Sequence, residues 1–124
     1  FTDEMATALS KSEFITDVVL PATQLSKAGL KSICGMPQLR YLDIWANGFD
    51  PTDLDLLEGH PALEIIELGD MGIEGNRRLR ACDLIPRLDK IPLLNTVYFE
   101  NVITSKVEAE YLNTRYKFRL MQEN

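Results

Sequence analysis

The chain has 124 residues, 45% apolar and 26% charged, with a formal net charge of −6. That balance suits one folded domain and excludes a disordered polymer. No run approaches the ~18 apolar residues needed to span a membrane, and an acidic surface argues against nonspecific nucleic-acid binding.

The charge is uneven. Residues 1–75 hold thirteen acids against four bases, and residues 76–124 hold six acids against nine bases. Phe1 to Lys11 lacks the basic start and apolar core of a secretory leader. The first residue is Phe and not Met, which points to a piece of a longer protein. Two cysteines, Cys34 and Cys82, are too few for a disulfide framework. Both stand among apolar neighbours, which predicts two small buried hydrophobes. A reducing compartment such as the cytoplasm is expected.

In chain order, Thr2-Asp3-Glu4 places acids at a helix start, with Met5, Ala8 and Leu9 as the apolar side. Ile15, Val18 and Leu20 follow, then Leu30 and Ile33 at helical spacing, with a stop at Gly35. Leu39, Leu42, Ile44, Asn47 and Phe49 lead into Asp50-Pro51-Thr52-Asp53. That tetrad reads as an N-cap, a Pro at the first helical position and an acid near the positive helix end. Leu54 and Leu57 continue this helix to Gly59. Leu63, Ile66, Leu68, Met71 and Ile73 precede a basic stretch, Gly75-Asn76-Arg77-Arg78-Leu79-Arg80, with Arg87 and Lys90 beyond it. The stretch is expected to lengthen the next helix and give it a solvated basic face. Alternatively, Arg77, Arg78 and Arg80 form a second contact site for an acidic partner. Leu94, Val97, Phe99 and Val102 come next, and Thr104 breaks the apolar phase. Ser105 followed by Glu108 is a capping box, with Val107, Tyr111 and Thr114 on one helical side and Leu112 beside them. Tyr116, Phe118 and Leu120 then alternate with Lys117 and Arg119, as in a short strand whose cations discourage edge-to-edge pairing.

Three stretches repeat one sentence: Met36 to Ile44, His60 to Leu68 and Ile91 to Phe99 each read apolar-Pro-x-Leu-x-x-apolar-x-apolar. Such repeats are the first thing to look for in a chain. The strongest unit is Leu39, Leu42, Ile44, Asn47, Phe49. Adding 24 to each number gives Leu63, Ile66, Leu68, Met71, Ile73. Subtracting 24 gives Ile15, Val18, Leu20, Thr23, Leu25, and a further unit starts at Leu94 after a spacing of 31. The pattern L-x-x-L-x-L-x-x-N resembles the leucine-rich repeat family over nearly the whole length. The family's Asn is matched only at Asn47, and Thr23, Met71 and Val102 replace it. Met71 and Val102 cannot satisfy loop backbone groups as an Asn would.

The resemblance implies an α/β leucine-rich repeat solenoid, with parallel strands on a concave face, helices on the convex face and a C-terminal helix/strand cap. The expected organisation is one domain, 1–124. Residues 1–14 form a partial repeat or an N-terminal cap helix. Repeats occupy 15–38, 39–62, 63–93 and 94–104, and the cap 105–124. Run backwards, the period lands on Phe1 in phase with Phe49, which suits an array cut from a longer one. At a strand spacing of ~4.8 Å, cysteines two repeats apart are beyond disulfide reach.

Chemistry finds little support in the residues. His60 is the only histidine, placed in a connecting loop, and no nucleophile elbow, P-loop, dinucleotide fingerprint or zinc spacing is present. Asp50, Asp53 and Asp55 lack the EF-hand pattern. No catalytic residue, metal or cofactor is expected. Strand alternation instead projects positions 3, 5, 7 and 8 of each repeat outward. These are Asp17, Val19, Pro21, Ala22; Tyr41, Asp43, Trp45, Ala46; Ile65, Glu67, Gly69, Asp70; and Thr96, Tyr98, Glu100, Asn101. Arg40 and Glu64 fall at the margin. An exposed Trp and Tyr beside acids suit an interface anchor, and the stacked carboxylates of Asp43 and Glu67 would welcome a basic partner. The expected function is protein recognition, not catalysis, through Asp17, Tyr41, Asp43, Trp45, Glu67, Asp70, Tyr98 and Glu100. The alternatives are a purely structural cap of a longer array, or the substrate-recruiting arm of a larger enzyme or ubiquitin-ligase adaptor. The resemblance does not name the partner or the oligomeric state.

Overall fold

A computed structural model describes residues 2–21, 26–45, 50–69 and 79–121, apart from the side chains of Pro21 and Trp45. Asp70, Arg77 and Arg78 lie outside the described residues. So do Thr23, Leu25, Asn47, Phe49, Met71 and Ile73.

Five strands, β1 (Asp17–Pro21), β2 (Tyr41–Trp45), β3 (Ile65–Gly69), β4 (Thr96–Glu100) and β5 (Lys117–Met121), form one parallel sheet in chain order. The chain is α/β. Each strand is preceded by a helix: α1 (Asp3–Ser10), α2 (Lys27–Cys34), a 3₁₀ helix (Pro51–Leu57), α3 (Ala81–Leu88) and α4 (Lys106–Arg115). The first four of these pack side by side in order.

The register follows the repeat spacing. Val18, Leu42, Ile66, Val97 and Phe118 form one inward row, and Leu20, Ile44, Leu68, Phe99 and Leu120 form the other. Alternation sends both rows to the helical side, because side chains in a strand repeat every two residues. There they join Leu30, Ile33, Leu54, Leu57, Leu84, Leu88 and Leu112 in a single core. Each fully buried Leu or Ile contributes roughly 1.5–3 kcal/mol. Truncating Leu42 to Ala would cost about 2–5 kcal/mol, since tight neighbours on both sides leave a cavity. Phe99 and Phe118 meet edge to face with centroids 5.3 Å apart, a favoured aromatic geometry.

The caps come from local chemistry. Asp50 and Asp53 form a reciprocal capping box with Pro51 just inside it, and Ser105 and Glu108 form another. Thr2 and Ser26 accept amide hydrogen bonds at the starts of α1 and α2. The Ser26 amide also donates to Asp3 at 3.0 Å, tying α1 to α2. Gly59, just past the 3₁₀ helix, has φ of 72°, a conformation that suits glycine. Gly35 ends α2 at φ −80°, so left-handed freedom is not its role.

The second repeat's helix stands where expected, from Pro51 after the Asp50 cap, and is 3₁₀. Other expectations are corrected. α3 has eight residues, the same as α2, so the basic stretch does not lengthen it. On α1 the covered residues are Ala6 and Leu9, while Met5 and Ala8 face solvent. On α4 only Leu112 is buried, and Val107, Tyr111 and Thr114 are exposed. Cys82 is exposed, because the α3 stripe of Ala81, Leu84, Ile85 and Leu88 leaves it outside. Tyr116 caps α4, and the strand begins one residue later.

Candidate functional site

The sheet's other face carries no helix among the described residues. Its rows are set by the same register. One runs Asp17, Tyr41, Ile65, Thr96, Lys117, and the next runs Val19, Asp43, Glu67, Tyr98, Arg119. The third runs through Pro21, Trp45, Gly69, Glu100 and Met121. Of the predicted residues, Tyr41, Asp43, Glu67, Tyr98 and Glu100 come together at its centre. Asp17 stands at the β1 edge, where it meets Arg40 at 3.8 Å. Trp45 has its backbone in β2, and its side chain lies outside the described residues. Thr96 and Asn101, predicted as surface residues, are buried. Asn101 turns the chain out of β4 at φ 57°, a conformation open to Asn, and its amide donates to the Met121 carbonyl at 2.8 Å.

Asp43 and Glu67 are direct neighbours in adjacent strands. Two carboxylates in that position repel. Partial burial first, then hydrogen bonding to Glu67 and the charges of Glu67 and Glu100, raise Asp43 from 3.8 to about 7. Asp43 Oδ1 is buried with no hydrogen-bond partner among the described residues. Two carboxylates can share a hydrogen bond only when one holds a proton. The Tyr41 hydroxyl donates to Glu67 Oε2. Burial and that carboxylate push the Tyr41 phenol well above its ordinary range.

The third feature is cationic. The Arg119 guanidinium lies 5.4 Å from the Tyr98 ring centroid, an arrangement attractive to a positive charge. Between Asp43, Glu67, Tyr98, Glu100 and Met121 is a cleft of about 30 Å³. It has room for a water or two. It is an order of magnitude smaller than the ~300–1,000 Å³ that encloses a drug-sized ligand. The face therefore suits contact with a surface or an extended chain better than engulfment of a small molecule.

Other predicted residues serve the frame. Arg80 is exposed at the N-cap of α3, where its backbone bridges to Ile103, and it does not join the open face. His60 is buried. Its Nε2 donates to the Met36 carbonyl at 2.9 Å, and Nδ1 accepts from the Ala62 and Leu63 amides at 3.1 and 3.0 Å. That set requires the neutral ring protonated at Nε2. His60 thus ties its own Pro-containing turn to the equivalent turn of the preceding repeat. Asp53 pairs with Lys27 at 2.6 Å and Asp55 with Arg87 at 3.3 Å.

Two residues were missed by sequence reading. Arg119 belongs to the same row as Asp43 and Glu67, and the Lys117/Arg119 alternation after Thr96/Tyr98 carried that signal. Asp89 has no such signal. Located at the end of α3, it accepts hydrogen bonds from the Tyr111 and Tyr116 hydroxyls and meets Arg115 at 3.7 Å, which pins α4 to α3. Burial and the Asp89 carboxylate raise the Tyr116 phenol above its ordinary range. A scan against family models finds none that matches the chain, and a search of curated proteins finds no match either.

Proposed function

We propose that this chain is a short leucine-rich repeat solenoid that recognises a partly basic protein segment on the concave face of its sheet. The parallel strands in chain order, the register that sets each repeat's strand beside the next and the helix before each strand support the solenoid reading. The observation that carries the binding reading is the Asp43–Glu67 pair. Folding sets two acids side by side, partly away from water, and that burial, with the neighbouring carboxylates, raises Asp43 to about 7, so the pair keeps a proton up to neutral pH. A Lys or Arg from a partner would take that proton's place, and Tyr41 and Tyr98 supply aromatic area beside it. Contacts of this kind are strong when charge-assisted and enclosed.

A displayed library of random linear peptides, panned on the immobilised chain, tests the reading. Selected peptides should be enriched in Lys or Arg with an apolar neighbour, and their affinity should fall as salt rises. Glu67→Lys should weaken them by about 100-fold while circular dichroism stays unchanged. Selected peptides without basic enrichment, or binding indifferent to Glu67→Lys, would refute it.

A further inference from the structure

The open face of the sheet is not uniformly acidic. In the row that holds the acid pair, the residues from β2 to β5 are Asp43, Glu67, Tyr98 and Arg119. The row beside it places Lys117 on the same strand as Arg119. Acids thus gather on β2 and β3, with Glu100 in the next row on β4, and cations gather on β5. Lys117 and Arg119 are both exposed, and neither forms an ion pair among the described residues. Arg119 is nevertheless held, because its guanidinium lies over the Tyr98 ring, 5.4 Å from the centroid. A guanidinium stacked by its face keeps N–H groups at its edges, where they can fork onto a carboxylate. A donor already ordered in this way loses little freedom on binding.

We propose that the segment recognised on this face is extended and dipolar, crossing the strands with a Lys or Arg over Asp43 and Glu67 and, four residues away, an Asp or Glu on Arg119. This rests on the reading of the face as a site for a partly basic segment, and it adds the partner's second charge. The spacing follows from the sheet. Strands stand about 4.8 Å apart, so Arg119 lies two and a half spacings, about 12 Å, from the middle of the acid pair. An extended chain advances about 3.3 Å per residue and turns alternate side chains the same way. Residues four apart therefore face the sheet about 13 Å from each other, close to the span required. The residue midway between them arrives over half-buried Tyr98, which offers aromatic area to an apolar side chain. The same arrangement rejects a run of bases. A second Lys or Arg four residues on would meet Arg119, with Lys117 beside it, and like charges set together lower affinity.

The peptides selected on the immobilised chain test this. Their sequences should carry an acid four residues from the base more often than at any other spacing. Arg119→Glu should weaken the tightest of them about tenfold. A copy of that peptide with its acid changed to Lys should bind the Arg119→Glu chain better than the parent chain. Lys117→Glu, about 7 Å along the strand, should weaken the original peptide less. Arg119→Gln, which removes the charge without reversing it, should fall between parent and Arg119→Glu, and circular dichroism verifies the fold of each variant. Basic peptides without an acid at that spacing overturn the dipolar partner and leave the basic-segment reading standing. So does affinity that Glu67→Lys lowers and Arg119→Glu does not. Equal losses from Lys117→Glu and Arg119→Glu also overturn it, since they mark a diffuse field in place of a contact. Selected peptides without basic residues, or no selected peptides at all, overturn both.

Discussion

Replacing Asp43 with Asn should make the chain more stable above neutral pH and leave it nearly unchanged near pH 4. Asp43 ionises at about 7 in the folded chain, against 3.8 ordinarily. Between those values the folded state holds a proton that the unfolded state releases. Stability from this group is therefore fully present below about pH 4 and is lost as pH rises through about 7. At about 1.36 kcal/mol per pH unit, holding that proton across roughly three pH units in a fully shielded site would be worth about 4 kcal/mol. Asp43 is only partly buried. Water screens the charges there, and about 1–2 kcal/mol is the expected size. Asn removes the charge and keeps an amide able to donate to Glu67. Urea denaturation followed by circular dichroism at pH 4, 6 and 8 would measure the difference between the two chains, in which other titrating groups cancel. The gap should open between pH 4 and 8 in favour of the Asp43→Asn chain. A constant gap, or one that widens in favour of the parent chain, would refute the account of the acid pair.

Three further outcomes are expected. His60→Ala orphans the Met36 carbonyl and the Ala62 and Leu63 amides in a buried site, and should cost about 3 kcal/mol in urea denaturation. Stability equal to the parent's would show that water replaces the ring without loss. Asp89→Asn should raise amide exchange in α4 and β5 above that of β2 and β3, and should lower the phenolic titration of Tyr116 towards its ordinary range, since one cause of its elevation is removed. Uniform exchange across the sheet would argue against the pin. A thiol reagent should modify Cys82 in the folded chain and Cys34 only on unfolding, because burial pushes the Cys34 thiol up to about 12. Equal rates at both would contradict the burial pattern.

Much of the fold was legible because short-range rules govern it. Strand alternation set which of Leu42, Asp43 and Ile44 face the core. The repeat spacing then set which residue stands beside which, so Asp43 and Glu67 could be paired on paper. The caps at Asp50 and Ser105 are tetrapeptide chemistry and read directly. Helical stripes read less well. In α1 and α4 the spacing allowed more than one apolar side, and packing chose Ala6 and Leu112 over Met5 and Val107.

Tertiary structure decided the rest. Cys82 is exposed because α3 docks on Ala81, Leu84 and Leu88, and its sequence neighbours are as apolar as those of buried Cys34. His60 became a buried clamp because the turn of the preceding repeat brings the Met36 carbonyl within 2.9 Å. Arg119 met Tyr98 because β5 added its strand to β4 in register. The protonation of Asp43 depends on how far its carboxyl is withdrawn from water and on the carboxylates that packing sets beside it. Local sequence sets backbone geometry and the in-or-out sense of a side chain. Desolvation and partners between distant segments exist only once the segments are packed.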